Sequence, residues 1–205
     1  KERCESGLKT LVLDRGRMVK HIEDYPTMYD DDWDLKYRGK QNEDDVKNQQ
    51  KQGRLWNGGL AQPDKKHWFV DDLKHPYNET KRFDWLRGYH VGGRSIMWGR
   101  QSYRWSEMDF EANKKDGHGV DWPIRYNDIA PWYDKVEEFI GVSGQNLGLS
   151  QLPDGKLSDP MDLNCVELDL QKKIDEKFDD DRLLTIGRVA HLTGNAMHEG
   201  RSNCQ

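Results

Sequence analysis

Apolar residues recur at helical spacing along the second half of the chain and predict two helices there. On the first helix, six apolar residues fall on one face, which we expect to be buried. They are Ile129, Trp132, Tyr133, Val136, Phe139 and Ile140. Asn127 is suited to cap the start of this helix, and Gly141 is suited to end it. The second helix carries one apolar stripe, with a residue at every fourth position. The stripe consists of Val166, Leu170, Ile174 and Phe178.

Shorter patterns predict strands at both ends of the chain. Residues 1–6 are typical of the last turns of a helix that ends at Gly7. The apolar run at residues 8–13 is typical of a buried parallel strand, and Asp14 terminates it. Residues 183–193 alternate enough between apolar and polar side chains to predict another strand.

The intervening segments are mostly polar. Residues 30–32 and 41–52 predict solvated loop or a weakly held surface helix, and residues 57–60 predict a turn. Residues 144–160 are rich in Gly, Pro, Asp and Ser and predict an exposed loop that overhangs a substrate entrance. For His67, Trp68 and His75 we expect structural or surface roles.

Composition excludes some classes of protein. Eight Trp, eight Tyr and five Phe among 205 residues argue against disorder, although 34% of the residues are charged. A net charge of -5 gives no electrostatic reason to expect nucleic acid or an anionic membrane as a partner. No apolar run approaches the roughly 20 residues that span a bilayer.

The three cysteines are far apart in sequence. They form no CxxC pair, so a zinc site made by this chain alone is not expected. We expect Cys4 and Cys165 to be small buried residues on helices. Cys204 lies in a different sequence context, the segment at residues 200–205.

The strongest candidate for chemistry is a glycine-rich stretch that contains Gly92, Gly93, Ser95 and Gly99. Glycine lacks the Cβ that would block a close approach of the backbone to a flat or anionic group. The amides of such a turn also form a natural cradle for an anion. The alternative is a glycine-rich bend ahead of a buried Trp98, with no ligand.

Three separated blocks of the sequence form one pattern. In chain order they are Leu11-Val12-Leu13-Asp14-Arg15-Gly16, Gly92-Gly93-x-Ser95-x-x-Trp98-Gly99, and Asp121-Trp122-Pro123-Ile124-Arg125-Tyr126-Asn127-Asp128-Ile129-Ala130-Pro131-Trp132-Tyr133. Together they resemble the glucose-methanol-choline (GMC) oxidoreductases, a family of FAD enzymes that oxidise alcohols and sugars. The pattern resembles the bacterial sugar dehydrogenase branch in particular.

This resemblance implies an α/β fold. Residues 1–110 would form part of an incomplete Rossmann-like FAD-binding domain, with a long polar insertion at about 17–84, and residues 111–205 would begin an α+β substrate-side region. The glycine fingerprint GxGxxG and the catalytic His of the family have no counterpart in the sequence. We therefore expect no catalytic residue in these 205 residues, and weak or no FAD binding by them alone.

The resemblance also implies a set of cofactor-binding residues. Asp14, followed by Arg15, takes the place of the acid that accepts hydrogen bonds from the adenosine ribose. Gly92 and Gly93 would let the backbone pass beside the pyrophosphate and ribityl chain, and Ser95 would donate a hydrogen bond there.

The end of the same block would lie against the flavin ring, through Trp98 and Gly99. Some relatives carry a His at the position of Met97 and attach the flavin covalently through it. Because Met97 cannot form that bond, the resemblance implies non-covalent FAD.

Other polar residues have two interpretations each. Arg100, Arg104 and Arg125 are suited to stabilise a reduced flavin anion, or their stems pack against aromatic neighbours with solvated heads. Cys204 lies in a segment that resembles the start of an iron-sulfur cluster motif, and the alternative is a free thiol. We expect His191 to be structural.

The expected partners follow from the same resemblance. They are a sugar or alcohol substrate and an electron-acceptor subunit or cytochrome, and the compartment would be the periplasm or cytoplasm of a bacterium. Two alternatives stay open. One is a different flavin or nicotinamide oxidoreductase, and the other is a non-catalytic, aromatic-rich carbohydrate-binding module.

Overall fold

The structure is a computed structural model that describes residues 1–48, 65–194 and 200–204. The chain divides into two compact units, Lys1–Trp98 and Gly99–Gln205. The predicted turn at residues 57–60 lies outside the described residues. In the described ranges, no helix is both long enough and apolar enough to cross a membrane. The functional assignment of residues 1–110 and 111–205 stays a prediction.

The described residues of the first unit, 1–48 and 65–98, form two short helices, α1 (Glu2–Glu5) and α2 (Glu43–Asn48). They also form 3₁₀ turns at Lys36–Gly39, Lys66–Trp68 and Gly93–Ile96.

Helix α1 ends as the sequence predicts. Gly7 has a φ of +79°, and its N–H donates to the Cys4 carbonyl at 3.0 Å. The N–H of Leu8 donates to the Arg3 carbonyl, also at 3.0 Å. These two bonds form the Schellman motif, which confirms the glycine cap.

The apolar run that follows α1 is extended but exposed. Leu11, Val12 and Leu13 are each more than four-fifths exposed, and residues 8–13 belong to no β-ladder. A parallel strand is buried only where neighbouring strands and helices cover its two faces. Nothing in the described part of the first unit covers this run, so the predicted burial is wrong. The Rossmann-like α/β fold itself stays a prediction.

The interior of the first unit is largely polar. Val70 is buried, and its N–H donates to the Arg87 carbonyl at 2.9 Å. The Arg87 guanidinium is buried beside the Asp72 carboxylate, at 2.5 Å, and also donates to the Tyr89 hydroxyl at 3.0 Å. A buried Arg is stable only with such partners, so this ion pair organises the segment that leads into the glycine-rich turn.

In the part of the second unit that the structure describes, there are three longer helices, α3 (Glu107–Asp116), α4 (Tyr126–Ile140) and α5 (Cys165–Phe178). A 3₁₀ turn at Asp179–Asp181 follows α5. Phe110 of α3 is fully buried against the rings of Trp105 and Trp122.

Extended segments of the second unit pair through isolated bridges. Val189 bridges antiparallel to both Gln101 and Ser143, and Ser143 bridges parallel to Ser158. Within residues 183–193 only Val189 takes part in a bridge and no regular strand forms, so the predicted strand is wrong. The bridges of Val189 lie beside Val142, which is fully buried.

The N-cap of helix α4 lies two residues before the predicted cap. The Asp128 carboxylate accepts a hydrogen bond from the N–H of Arg125 at 2.7 Å, so Arg125 is the N-cap residue and Asn127 lies inside the helix. Gly141, with a φ of +77°, ends the helix as predicted.

Only part of the apolar face predicted for α4 turns inward. Trp132, Val136 and Phe139 are 42% to 58% exposed, whereas Glu137 is buried. The helix turns Glu137 inward because a buried arginine, Arg104, requires a counter-charge there. The other three residues of the predicted face are half-buried, so the prediction of a buried apolar face is wrong for half of it.

Candidate functional site

The two segments predicted to hold a cofactor lie together in the first unit. Arg17 forms a parallel bridge with His90, and the N–H of Val91 donates to the Arg17 carbonyl at 2.9 Å. Beside this bridge, the Asp14 carboxylate accepts a hydrogen bond from the N–H of Gly92, with 2.8 Å between Oδ2 and N. The acid after the apolar run is thus fixed against the glycine-rich turn, although 78 residues separate them.

A glycine to which the sequence analysis assigned no role makes this pairing possible. Gly16 has a φ of +128°, and a Cβ there would lie closer than 3.0 Å to the backbone of Tyr89. No side chain fits at such a distance. Arg15, next to it, stacks over the Tyr89 ring with 4.1 Å between the guanidinium carbon and the ring centroid. The only hint of this role in the sequence was the position of Gly16, two residues after Asp14.

The glycine-rich turn is closed by its own hydrogen bonds. Gly92 and Gly93 have φ values of +87° and +54°, in the left-handed region that favours glycine. The N–H of Gly93 donates to the His90 carbonyl at 2.7 Å. Ser95 donates twice to the Gly92 carbonyl, from its hydroxyl at 2.7 Å and from its N–H at 3.2 Å.

These bonds change what the turn offers to a ligand. The amides of Gly92, Gly93 and Ser95 all donate within the protein, so in this conformation they do not form the expected anion cradle. The turn instead presents an exposed carboxylate, that of Asp14, beside an open glycine surface. A Cβ on Gly93 would meet nothing within 4 Å. This arrangement fits the hydroxyl groups of a ribose better than a pyrophosphate.

The last predicted residues of the block lie apart from this pairing. The side chain of Met97 is half-buried against Gly88, where a Cβ would come within 2.7 Å of the Met97 methyl carbon. Trp98 is 44% exposed, so the alternative of a buried Trp98 is wrong. Gly99 belongs to the second unit.

His90 is a polar core residue that the sequence analysis did not single out. It is 3% exposed, and its Nε2 lies 3.3 Å from the Trp68 carbonyl oxygen. Its ring meets the Trp68 ring edge-on, with 5.7 Å between centroids. Among the described residues its Nδ1 has no hydrogen-bond partner. His90 therefore joins the glycine-rich turn to the 3₁₀ turn at Lys66–Trp68.

Two of the three arginines considered for a flavin anion, Arg104 and Arg125, are engaged in ion pairs. Arg104 is buried, and its Nε donates to Glu137 at 2.8 Å while its Nη2 reaches both Glu137 and Asp134 at 2.5 Å. Hydrogen bonding to Glu137 raises the pKa of Arg104 above its usual value. Arg125 pairs with Asp121 at 2.7 Å, which raises the pKa of Arg125. The expectation of solvated heads was therefore wrong for Arg104.

A further buried arginine holds the loop at residues 144–160. Arg188 is 1% exposed and donates to the carbonyls of Pro153 and Gln145 at 2.6 and 3.1 Å. Burial lowers the pKa of Arg188. At the other side of the loop, the N–H of Lys156 donates to Glu137 at 2.9 Å. Buried charged residues elsewhere in the second unit therefore hold the loop in place. The composition of the loop did not predict this.

The cysteines are all exposed, so the expected burial of Cys4 and Cys165 was wrong. Both do lie on helices, α1 and α5. The N–H of Cys204 donates to the Leu192 carbonyl at 3.0 Å. Across residues 1–48, 65–194 and 200–204, no three His, Cys, Asp or Glu side chains are grouped to hold a metal ion. An iron-sulfur role for Cys204 stays a prediction.

Comparison with known proteins finds short similarities to oxidoreductases. No family model matches the chain. The chain is 33% identical over 67 residues to 2-methyl-1,2-propanediol dehydrogenase of Mycolicibacterium austroafricanum, which covers 32% of this chain and 12% of that protein. It is 34% identical over 62 residues to paromamine 6'-oxidase of Streptomyces fradiae, covering 29% and 12%.

A third relative is the fructose dehydrogenase large subunit of Gluconobacter japonicus, 34% identical over 56 residues, covering 27% of this chain and 10% of that protein. The aligned segments thus span 12% or less of these three relatives. All three are named as dehydrogenases or oxidases. Over these segments the chain is similar to sugar and alcohol oxidoreductases, which supports an oxidoreductase at that coarse level.

Proposed function

We propose that this chain is part of a GMC-type, FAD-dependent oxidoreductase that oxidises a CH–OH group of a sugar or another alcohol. The observation that carries the proposal is the 2.8 Å hydrogen bond from the Gly92 N–H to the Asp14 carboxylate. It joins two of the three blocks on which the family resemblance depends. The names of the three relatives favour the same class of substrate.

The role we assign to these residues is to bind and orient the adenosine end of FAD. Asp14 uses Oδ2 for Gly92, and the second carboxylate oxygen would accept a hydrogen bond from a ribose hydroxyl. The open surface at Gly93 would let the cofactor approach the backbone closely. Ser95 stabilises the turn through its hydrogen bonds to the Gly92 carbonyl. Arg15, stacked on Tyr89, fixes the backbone beside the acid.

The chemistry that FAD supplies when bound is the acceptance of a hydride from the substrate carbon. We assign no proton-transfer step to the described residues of this chain. Met97 stands where covalent attachment occurs in some relatives, so the cofactor would be held non-covalently. This makes release of intact FAD on unfolding an expected property of the protein.

The proposal also includes the transfer of electrons from the reduced flavin to a further acceptor. The similarity to a protein named as a large subunit favours an electron-acceptor subunit or cytochrome as a partner. Cys204 is exposed and would serve as one ligand of an iron-sulfur relay only together with further cysteines.

The test is to change Asp14 in the full-length protein that contains this chain. Asp14→Asn keeps an oxygen for the Gly92 N–H but removes the negative charge that strengthens a bond to ribose. We expect FAD affinity to fall about tenfold or more, since a hydrogen bond to a charged group contributes about 1.5–3 kcal/mol. The affinity is measured by titrating the apoprotein with FAD and following flavin fluorescence.

Asp32→Asn is the matched control, because Asp32 is an exposed acid of the same unit outside the turn. It should bind FAD as the unchanged protein does. Equal FAD affinity of the Asp14 and Asp32 variants would contradict the assignment of Asp14.

A further inference from the structure

A cavity in the first unit lies beside the glycine-rich turn. Its volume is about 330 Å³, and one wall is formed by Ile96, the last residue of the 3₁₀ turn Gly93–Ile96. Tyr25, Met28 and Trp68 also line it. Trp68 belongs to the 3₁₀ turn Lys66–Trp68. Ligand pockets in proteins range from about 300 to 1,000 Å³. This cavity therefore suits one ring rather than a dinucleotide.

The aromatic walls of the cavity are perpendicular to each other. The rings of Tyr25 and Trp68 have centroids 5.5 Å apart and an interplanar angle of 80°. The His67 ring lies 4.6 Å from Trp68 at 45°. A flat heterocycle is held best against parallel ring faces, whereas this corner suits a thicker ring. The C–H groups of a pyranose carry partial positive charge and are attracted to the negative face of an aromatic ring.

Polar atoms accompany the apolar walls. The Tyr25 hydroxyl lies 3.4 Å from His21 Nδ1, and Lys65, Thr27 and His67 also line the cavity. An ammonium, two hydroxyls and an imidazole supply donors and acceptors for the hydroxyls around the edge of a sugar. A few placed polar groups on an apolar lining are typical of small-molecule sites.

We propose that this cavity binds a single saccharide ring, with Trp68 and Tyr25 as the apolar corner and Lys65 and His67 at the hydroxyl edge. The proposal deepens the proposed function, on which the choice of a sugar among alcohols rests. It places a sugar-recognition site on the segments at residues 25–28 and 65–68. These include His67 and Trp68, for which the sequence indicated only structural or surface roles.

The test uses methyl β-D-glucopyranoside as the probe and saturation-transfer NMR on the full-length protein, with adenosine as a planar comparison. We expect millimolar binding of the glucopyranoside. Met28→Arg should weaken it at least tenfold, because Met28 lines the cavity and a longer charged side chain fills the opening. Met18→Arg is the matched control, since Met18 is an exposed methionine that does not line the cavity. It should bind as the unchanged protein does.

Trp68→Ala should abolish the binding, but Trp68 also contacts His90, so this variant is checked for folding by circular dichroism. Met28 is 49% exposed, which keeps its variant informative if Trp68→Ala unfolds. Equal binding by the Met28 and Met18 variants, or stronger binding of adenosine than of the glucopyranoside, would overturn the proposal.

Two results separate this proposal from the proposed function. A protein that holds FAD but binds no glucopyranoside would overturn the saccharide cavity alone. A protein that binds the glucopyranoside through Met28 and Trp68 but holds no FAD would support the cavity and overturn the FAD oxidoreductase.

Discussion

Gly16→Ala is expected to destabilise the first unit by about 3 kcal/mol and to separate Asp14 from Gly92. The new Cβ would lie closer than 3.0 Å to the Tyr89 backbone, which cannot move away as a flexible side chain would. Overpacking costs about 1–3 kcal/mol, and a positive φ adds about 1–2 kcal/mol for a residue with a Cβ. Urea unfolding measures the total, and hydrogen exchange at the Gly92 amide measures the local effect.

Gly7→Ala separates steric overlap from backbone strain. Gly7 also has a positive φ, +79°, but a Cβ there would meet nothing within 4 Å. It should cost only about 1–2 kcal/mol, and it should leave the exchange rate of the Gly92 amide unchanged. If the two variants lose equal stability and both keep Gly92 protected, the close approach of Gly16 to Tyr89 is not present in solution.

Glu137→Ala is the second large effect, expected to destabilise the second unit by about 3–5 kcal/mol. Its removal leaves the Arg104 guanidinium buried without its main counter-charge, and it also removes the acceptor for the Lys156 N–H. Asp134 remains beside Arg104, but its side chain is 40% exposed and compensates only in part. Thermal unfolding of the full-length protein, followed by calorimetry, measures the loss.

Glu138→Ala is the control, because Glu138 is the next residue of the same helix and is exposed. It should change stability by no more than about 0.5 kcal/mol. A double variant, Arg104→Met with Glu137→Leu, should recover much of the loss, since it removes both buried charges together. Equal stability of the Glu137 and Glu138 variants would show that the buried ion pair does not hold α4.

Features set by one residue and its immediate neighbours were predictable from the sequence. Gly7 and Gly141 end their helices as expected, because a positive φ at a helix end favours glycine whatever lies around it. Asp14 and Gly92 were each assigned to the same ligand, and the structure joins them directly. That bond could not be read from the sequence, since nothing local connects residues so far apart.

Features set by distant partners were not predictable. Helical periodicity shows that α4 has an apolar face but does not show which face turns inward. Arg104 decides this by pairing with Glu137, 33 residues away. Arg188 likewise fixes the loop at residues 144–160 through backbone carbonyls, which leave no mark in composition. Gly16 was overlooked because its requirement comes from the backbone of Tyr89.

The carbohydrate-binding module remains the contrasting hypothesis. Under that hypothesis, the cavity at Trp68 would be the place where the module binds its sugar. Both hypotheses predict that the protein binds a sugar. Only the oxidoreductase predicts that the sugar changes the state of a bound flavin, so sugar binding by itself does not choose between them.

The most direct measurement is the visible spectrum of the full-length protein, recorded without oxygen before and after adding sugars and small diols. We predict flavin absorption bands that bleach on addition of a substrate, and FAD that acid releases intact because Met97 cannot bond to it covalently. A colourless protein, or flavin bands that no sugar or alcohol bleaches, would contradict the assignment of this chain to a flavin-dependent oxidoreductase of sugars or alcohols.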